Sequence, residues 1–389
     1  MKNINHKRTI FTSILCLTLI ILTSYLLFSM YKQNKSLSAD PIAFPVANHS
    51  FKKSEFFYKT YSTSLSLAAV GDILIHSTVY TDAMTGNGYD FKPQLAGVKD
   101  LLRNADLTIA NQETITGGTE IGLSTYPQFN SPYEVTDALY DAGVDIVSIA
   151  NNHTLDRGEQ AVLNATAYYD KIGMEYVGGY RDDKDKQRIR VLTKNRVKVA
   201  FLSYTYGTNG IPVPTGKEYL VNLIDIDAMK KDIDVAKKKA NVVAVSLHWG
   251  NEYQMLPNDE QKQLATMLAN AGVDIIIGHH PHVLQPMEWI TRENGEQTFV
   301  AYSLGNFLSG QIKDYKDIGG VLEIEIKKEF KNNKSFISLQ NPEFIPTYVA
   351  STNLKKFRVI PLESVTTFGS SYSSSIFNEI EDHMQQWLN

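Results

Sequence analysis

Of the nine histidines in this 389-residue chain, six follow short apolar runs. His76 comes after Val70-Gly71-Asp72, and His153 after Ile149-Ala150-Asn151-Asn152. His248 closes Val245-Ser246-Leu247, while His279, His280 and His282 close Ile275-Ile276-Ile277-Gly278. Asp72 and Glu113 end runs of the same kind. A His at one strand end is ordinarily a hydrogen-bonded structural residue. Here five strand ends carry metal-capable groups together: Asp72 with His76, Glu113, Asn152 with His153, His248, and His280 with His282. Carboxylates mixed with imidazoles suit Mn, Zn or Fe better than Ca or Mg, so one or two divalent transition-metal ions are expected. The single cysteine, Cys16, lies in the N-terminal apolar run, which excludes a thiolate site and an internal disulfide.

Local chemistry sharpens some of these residues. Pro281 fixes φ between His280 and His282 and stiffens a loop that would present both rings. Asp72 and His76 are four apart, so extended backbone would set them on one face. Asn152 offers a carbonyl oxygen beside the His153 ring, although Asn is also a common turn residue. Asp156 and Arg157 follow as supporting partners or as a helix-start pair. Trp249 and Tyr253 either wall a pocket or pack.

The elements that must position these groups are short, β-branched and apolar, as strands buried on both faces are. The pattern predicts strands at Leu65–Val70, Asp106–Ala110, Val144–Ile149, Val197–Tyr204, Val242–Leu247, Val273–Ile277 and Thr298–Ser303. Helical stretches separate several of them, at Pro132–Ala142, Glu159–Ile172 and Asp259–Ala271, which argues an α/β fold. Ala142-Gly143-Val144-Asp145-Ile146 is echoed by Ala271-Gly272-Val273-Asp274-Ile275. Each copy has Gly where a helix ends, and each leads to a His-bearing strand end. The echo is either a reused helix-to-strand turn or a mark of a pseudo-repeated βα core. Beyond Gly320, two further strands and a closing amphipathic helix at Ser374–Leu388 extend the sheet and cover it.

The first 63 residues differ in character. Residues 10–30 are uncharged and mostly apolar, preceded by Lys2, Lys7 and Arg8. That pattern predicts a transmembrane anchor at 10–30 behind a cytoplasmic segment at 1–9, with a cleaved signal peptide as the alternative. Residues 31–63 then read as a linker, and 64–389 as an extracellular domain of a single-pass membrane protein. The net charge of −4, without a basic stripe, argues against nucleic acid as a partner.

Several words of this sequence resemble the CapA (PgsA) family of poly-γ-glutamate capsule synthesis proteins. They are Val70-Gly71-Asp72-Ile73, Ala150-Asn151-Asn152-His153 with Asp156 and Gly158, Ser246-Leu247-His248-Trp249-Gly250 with Glu252-Tyr253, Gly278-His279-His280-Pro281-His282-Val283, and Leu304-Gly305-Asn306-Phe307. The resemblance implies a calcineurin-like metallophosphoesterase sandwich, two β-sheets flanked by helices, behind the anchor. It carries metal roles to Asp72, Asn152, His153, His248, His280 and His282, with His153 and Asn152 as the catalytic pair. His76 stands two residues later than that pattern's His, Glu113 stands where it has an Asp, and His279 is an additional imidazole. The implied role is the synthesis, transport or anchoring of poly-γ-glutamate or a similar anionic envelope polymer, beside other capsule-synthesis membrane proteins. The implied chemistry is metal-dependent hydrolysis of an amide or phosphoester. A non-catalytic polymer-binding subunit and a general envelope metallophosphoesterase are the alternatives.

Overall fold

The computed structural model describes residues 18, 20–32, 60–367 and 374–388. The chain divides into two units, Met1–Phe57 and Tyr58–Asn389. In the first unit, residues 20–32 are helical. Among the described residues no helix is long and apolar enough to cross a membrane. The expected transmembrane anchor is therefore corrected. With it go the membrane as a partner, the partnership with other membrane proteins that rested on it, and the single-pass extracellular placement. Residues 10–17 and 19 of the expected span, the segment 1–9, and 33–59 of the expected linker lie outside the described residues.

Among the described residues the second unit carries sixteen strands. In chain order they are β1 (Tyr61–Leu74), β2 (Met84–Thr85), β3 (Gly88–Tyr89), β4 (Leu107–Asn111), β5 (Ile146–Ser148), β6 (Glu175–Val177), β7 (Arg190–Lys194) and β8 (Val197–Thr205). They continue as β9 (Val242–His248), β10 (Ile275–His279), β11 (Leu284–Thr291), β12 (Gln297–Leu304), β13 (Asn306–Ser309), β14 (Ile318–Lys331), β15 (Lys334–Ala350) and β16 (Arg358–Pro361). One mixed sheet runs β16-β15-β14-β1-β4-β5-β6, with β13 also paired to β1; the other runs β11-β12-β10-β9-β8-β7; β2 and β3 form a separate hairpin.

Alternation along the strands explains why the sheets stack and why both outer faces need cover. On β1, Leu65, Leu67 and Ala69 enter the same core as Val242 and Ala244 of β9, Ile275 and Ile277 of β10, and Phe299 and Ala301 of β12. Their neighbours Ala68 and Val70 face a second core shared with Val135, Leu139, Val162 and Tyr169 of the helices Glu134–Ala142 and Gly158–Ile172. On the far side, Val243, Val245, Ile276 and Val300 meet Met229, Ile233, Ala265 and Leu268 of the helices Ile226–Lys239 and Asp259–Ala271. The result is a helix–sheet–sheet–helix sandwich, the two-sheet α/β arrangement expected from the sequence without its membrane helix.

The repeated AGVDI word occupies one place in each sheet. Gly143 and Gly272 cap their helices in the left-handed region, at φ of 104° and 97°. Asp145 accepts from Thr108 N at 2.9 Å and Asp274 from Val243 N at 2.8 Å, so each carboxylate pins the start of the strand beside its own. The same local unit therefore feeds β5 and β10, and both strands end at the histidine-rich loops.

Two glycines let the sheets' ends close. A Cβ at Gly71 would collide with Gly305 O, and one at Gly278 with Tyr302 O. Both backbone oxygens belong to rigid neighbouring segments, so neither can yield cheaply. We expect Gly278→Ala to lose about 3 kcal/mol or more, read as a lowered denaturant midpoint. Wild-type stability in this variant would show that the approach of β10 to β12 is looser than described.

Candidate metal centre

Every residue of the centre sits at, or just beyond, an end of one of these strands, the usual place for ligands of open α/β sheets. Asp72 lies in β1, Asn111 ends β4 with Glu113 two residues on, and Asn152 and His153 follow β5. His248 ends β9, His279 ends β10 with His280 and His282 beyond it, and Asn306 starts β13. Pairing in register places Asp72 opposite both Asn111 and Asn306.

Asp72 and Glu113 are fully buried, and the histidines around them nearly so. Asp72 Oδ2 lies 3.1 Å from His282 Nδ1, and Oδ1 lies 3.4 Å from His279 Nδ1. Glu113 Oε1 lies 3.5 Å from His248 Nε2 and 3.6 Å from His282 Nε2. Asn152 Oδ1 reaches His248 Nε2 at 2.8 Å, and Asn111 Nδ2 donates to Asp72 Oδ1 at 2.8 Å. Two overlapping groups, Glu113 with His280 and His282, and Asp72 with Glu113 and His248, have ligand atoms within 4.8 Å of one another. The cluster has the geometry of a divalent-metal site.

Hydrogen bonding tests that fit. Neither oxygen of Glu113 has a hydrogen-bond partner, and neither do His280 Nδ1 and both ring nitrogens of His279. A buried carboxylate left unpaired is costly, and a cation satisfies it. Electrostatics gives the same picture. Burial, reinforced by the charges of Asp72, Glu252 and Asp156, pushes the Glu113 carboxyl well above its usual range. Burial opposes the Asp72 charge too, but the His279 and His282 rings beside it outweigh that and hold Asp72 well below. Burial likewise works against the His282 cation, yet Glu113 and Asp72 raise that ring to about 9. Two carboxylates in one dry site cannot both ionise cheaply without a counter-charge.

The backbone is held in strained shapes here. His280 and His282 adopt φ of 97° and 58°, Tyr253 65° and Asn209 50°. Left-handed conformations are costly for bulky side chains and persist where the surroundings over-determine them. Tyr253 N donates to Pro281 O at 2.7 Å, which ties that loop to the histidine loop. Asn152 Nδ2 donates to Asn209 Oδ1 at 3.3 Å, and Asn209 Nδ2 lies 3.4 Å from His153 Nδ1.

His153 stands at the side of the centre. Its Nδ1 meets Asp156 Oδ2 at 2.7 Å, and that oxygen also accepts from Phe129 N at 2.6 Å. The Phe129 ring packs edge-on against both His153 and His76, at 4.7 and 5.2 Å. His76 belongs to neither ligand group; its Nδ1 lies 3.1 Å from Leu74 O and 3.2 Å from Gly310 N. Asp156 thus supports His153, whereas Arg157 donates to Ile121 O, Gly122 O and Ser124 Oγ and so clamps the neighbouring loop. Trp249 is buried and donates to Tyr302 O, a packing role; Tyr253 is half-exposed beside His282.

Sequence reasoning did not single out Asn111, Asn306, Asn209 or Tyr206. Asn111 and Asn306 reach Asp72 and His282 only through the register of β4 and β13 against β1, which a single sequence does not display. A cavity of about 640 Å³ lined by Lys237, Trp289, Arg292 and Phe336 shares no residue with the centre. The buried Glu113 carboxylate, without a hydrogen bond, lies at the strand ends and not in that cavity.

Fold and site together define an α/β sandwich protein with a buried carboxylate–imidazole centre at its strand ends. The chain belongs to the family described as bacterial capsule synthesis protein PGA_cap, whose pattern matches residues 66–311 and so includes the whole centre. It is 32% identical over 323 residues to the PGA biosynthesis protein CapA of Bacillus subtilis (strain 168), covering 78% of each chain. It is 35% identical over 182 residues to the capsule biosynthesis protein CapA of Bacillus anthracis, covering 46% of this chain and 43% of that one. Among solved structures, the NAD nucleotidase of Haemophilus influenzae superimposes with a TM-score of 0.44 at 12% identity, over 84% of this chain and 63% of that one.

The histidines give the metal-free protein a defined acid response. Burial lowers His76 to about 4, and burial with the His282 charge lowers His280 to about 3. The unfolded rings bind protons near pH 6.5 while the folded ones stay neutral, so the unfolded state holds more protons below that pH. The share of stability from these two rings should be fully present above pH 6.5 and fall as the pH drops toward 4, whereas the raised His282 ring contributes a share that is lost as the pH rises through about 9. His76→Gln should reduce the slope of that fall, measured by denaturant unfolding at several pH values. An unchanged slope would mean that His76 titrates normally in the folded protein.

Proposed function

We propose that this protein acts in the synthesis, transport or anchoring of an anionic envelope polymer of the poly-γ-glutamate kind, through a metal-dependent, hydrolase-like centre that cleaves an amide or phosphoester bond. The observation that carries the chemical half is Glu113, whose two buried oxygens have no hydrogen-bond partner amid imidazoles. The polymer half is supported by membership of the capsule synthesis family and by the printed names of the Bacillus relatives.

Asp72, Glu113, His248, His280 and His282 would hold one or two ions of Mn, Zn or Fe, with the Asn152 carbonyl beside them. When bound, such an ion acts as a Lewis acid toward a carbonyl or phosphoryl oxygen and makes water a better nucleophile near neutral pH. The protein's own groups do the rest. Asn111 and Asn306 fix Asp72 and His282 through hydrogen bonds, so the ligand set is held before anything binds. Asp156 orients His153 through Nδ1, which leaves the other ring nitrogen to deliver a proton to the departing nitrogen or oxygen. Water adds across the C–N or P–O bond, and the leaving atom departs with its electron pair and that proton.

Elemental analysis after metal-supplemented expression should find Mn, Zn or Fe in the wild type and little in a His280→Ala/His282→Ala double variant. His153→Ala should keep its metal yet lower turnover, or polymer production in cells, about a hundredfold or more. Its stability should change by less than the roughly 2–5 kcal/mol of a core deletion. Full polymer production by a well-folded His153→Ala variant would replace the enzyme with a non-catalytic polymer-binding subunit. A wild type without metal would remove the hydrolytic reading altogether.

A further inference from the structure

The proposed chemistry leaves open whether the bond cleaved belongs to an amide or a phosphate ester. The rim of the centre bears on that choice. Tyr206 and Tyr253 are 48% and 49% exposed, unusually open for side chains that lie against buried histidines. The Tyr206 ring lies 4.7 Å from His280 and runs nearly parallel to His248 at 6.4 Å. The Tyr253 ring lies 6.2 Å from His282. His280 and His282 are themselves 5.9 Å apart, so the two tyrosines stand beside adjacent members of the same cluster. Tyr253 is held there in a left-handed backbone conformation, by its bond to Pro281 O and by Gln311 Nε2 donating to its hydroxyl. A strained aromatic kept half in solvent next to a reactive centre is poorly explained by packing.

Two charges flank Tyr253, the Glu252 carboxylate and the Lys316 ammonium. Glu252, next to Tyr253, is exposed. Its carboxylate acts electrostatically on Glu113, His282 and both tyrosines. Burial first, and then this carboxylate, pushes the Tyr206 and Tyr253 hydroxyls up to about 12, so both stay neutral. The nearby cations are engaged. Lys316 pairs with Asp314 and sits over the Tyr253 ring at 5.2 Å, and Arg157 is spent on loop carbonyls. An aromatic face is negative and attracts a cation or a flat group; a hydrated phosphate dianion gains nothing from it. A carboxylate beside that face adds to the same preference.

We propose that Tyr206 and Tyr253 form the walls of a substrate slot over the metal centre, and that with Glu252 they select a flat, neutral amide carrying an ammonium group over a phosphate ester. This rests on the hydrolytic reading of the centre and narrows it. The reaction is amide hydrolysis: water adds to the carbonyl carbon, the C–N bond breaks with its electrons on nitrogen, and that nitrogen leaves protonated as an amine. Tyr206 and Tyr253 position the amide, and Glu252 receives the ammonium group.

The test uses the full-length, metal-loaded protein with two chromogenic probes, γ-glutamyl-p-nitroanilide and p-nitrophenyl phosphate. Binding is read by calorimetry, separately from release of the chromophore. The wild type should bind the anilide at least about tenfold more tightly than the phosphate. Tyr206→Ala and Tyr253→Ala should each weaken anilide binding by about tenfold, and Tyr206→Phe should restore most of it, because the ring and not the hydroxyl makes the contact. Glu252→Gln should weaken the anilide and strengthen the phosphate. In turnover the same changes should appear in KM more than in kcat. All three side chains are exposed enough that folding should persist, and unchanged metal content confirms it. Anilide binding without turnover would count against the hydrolytic reading while the slot stands. Tighter binding of the phosphate, binding of neither probe, or variants that bind like the wild type would overturn the slot.

Discussion

Two carboxylates buried together, Asp72 and Glu113, set the terms for the rest of this structure. Each has no exposed surface, and Glu113 has no hydrogen-bond donor for either oxygen. An arrangement of this kind is unstable in isolation, because burying charge without a partner opposes folding. The protein surrounds the pair with imidazoles from two strand ends and supports them with Asn111, Asn306 and Asn152. A centre that is costly in itself and carefully held by its neighbours is the mark of a site kept for binding, with the surrounding sandwich supplying the stability.

The sandwich explains how residues more than two hundred positions apart meet. β1 is the central strand of one sheet and β10 lies inside the other, and the layer between them is packed with Leu67, Ala69, Ile275 and Ile277. That dry layer fixes the sheets face to face, so Asp72 at the end of β1 comes to lie beside His279, His280 and His282 beyond β10. Gly71 and Gly278 stand immediately before two of these residues, where any side chain would hold the chains apart. The strain at His280, His282 and Tyr253 follows from the same close approach.

Much of this was readable from residue types alone. Buried strands announce themselves by continuous β-branched runs, and the helix Asp259–Ala271 falls where its pattern predicted. Asp72, Glu113, Asn152, His248, His280 and His282 do converge, because strand ends in an α/β sheet share an edge. What stayed hidden was register and small elements. β6 is three residues long, β11 carries Pro286, and the helix Ile226–Lys239 buries only Met229, Ile233 and Ala236 among its lysines. His76 shows the limit of spacing arguments: four residues of extended chain were expected to keep it with Asp72, but the backbone turns after Leu74 and sends its ring against Phe129. The N-terminal apolar run is a different case: composition suggested a span, whereas among the described residues no helix is long and apolar enough to cross a membrane.

Whether the buried carboxylates need a cation decides the nature of this centre. Thermal unfolding of the metal-free full chain, repeated across a titration of Mn²⁺ or Zn²⁺, addresses this directly. The wild type should show a saturable rise in Tm, as any ligand specific for the folded state produces, and Glu113→Gln should lose most of that rise. A wild-type Tm indifferent to both ions, or an equal rise in Glu113→Gln, would contradict a metal centre built around these two residues.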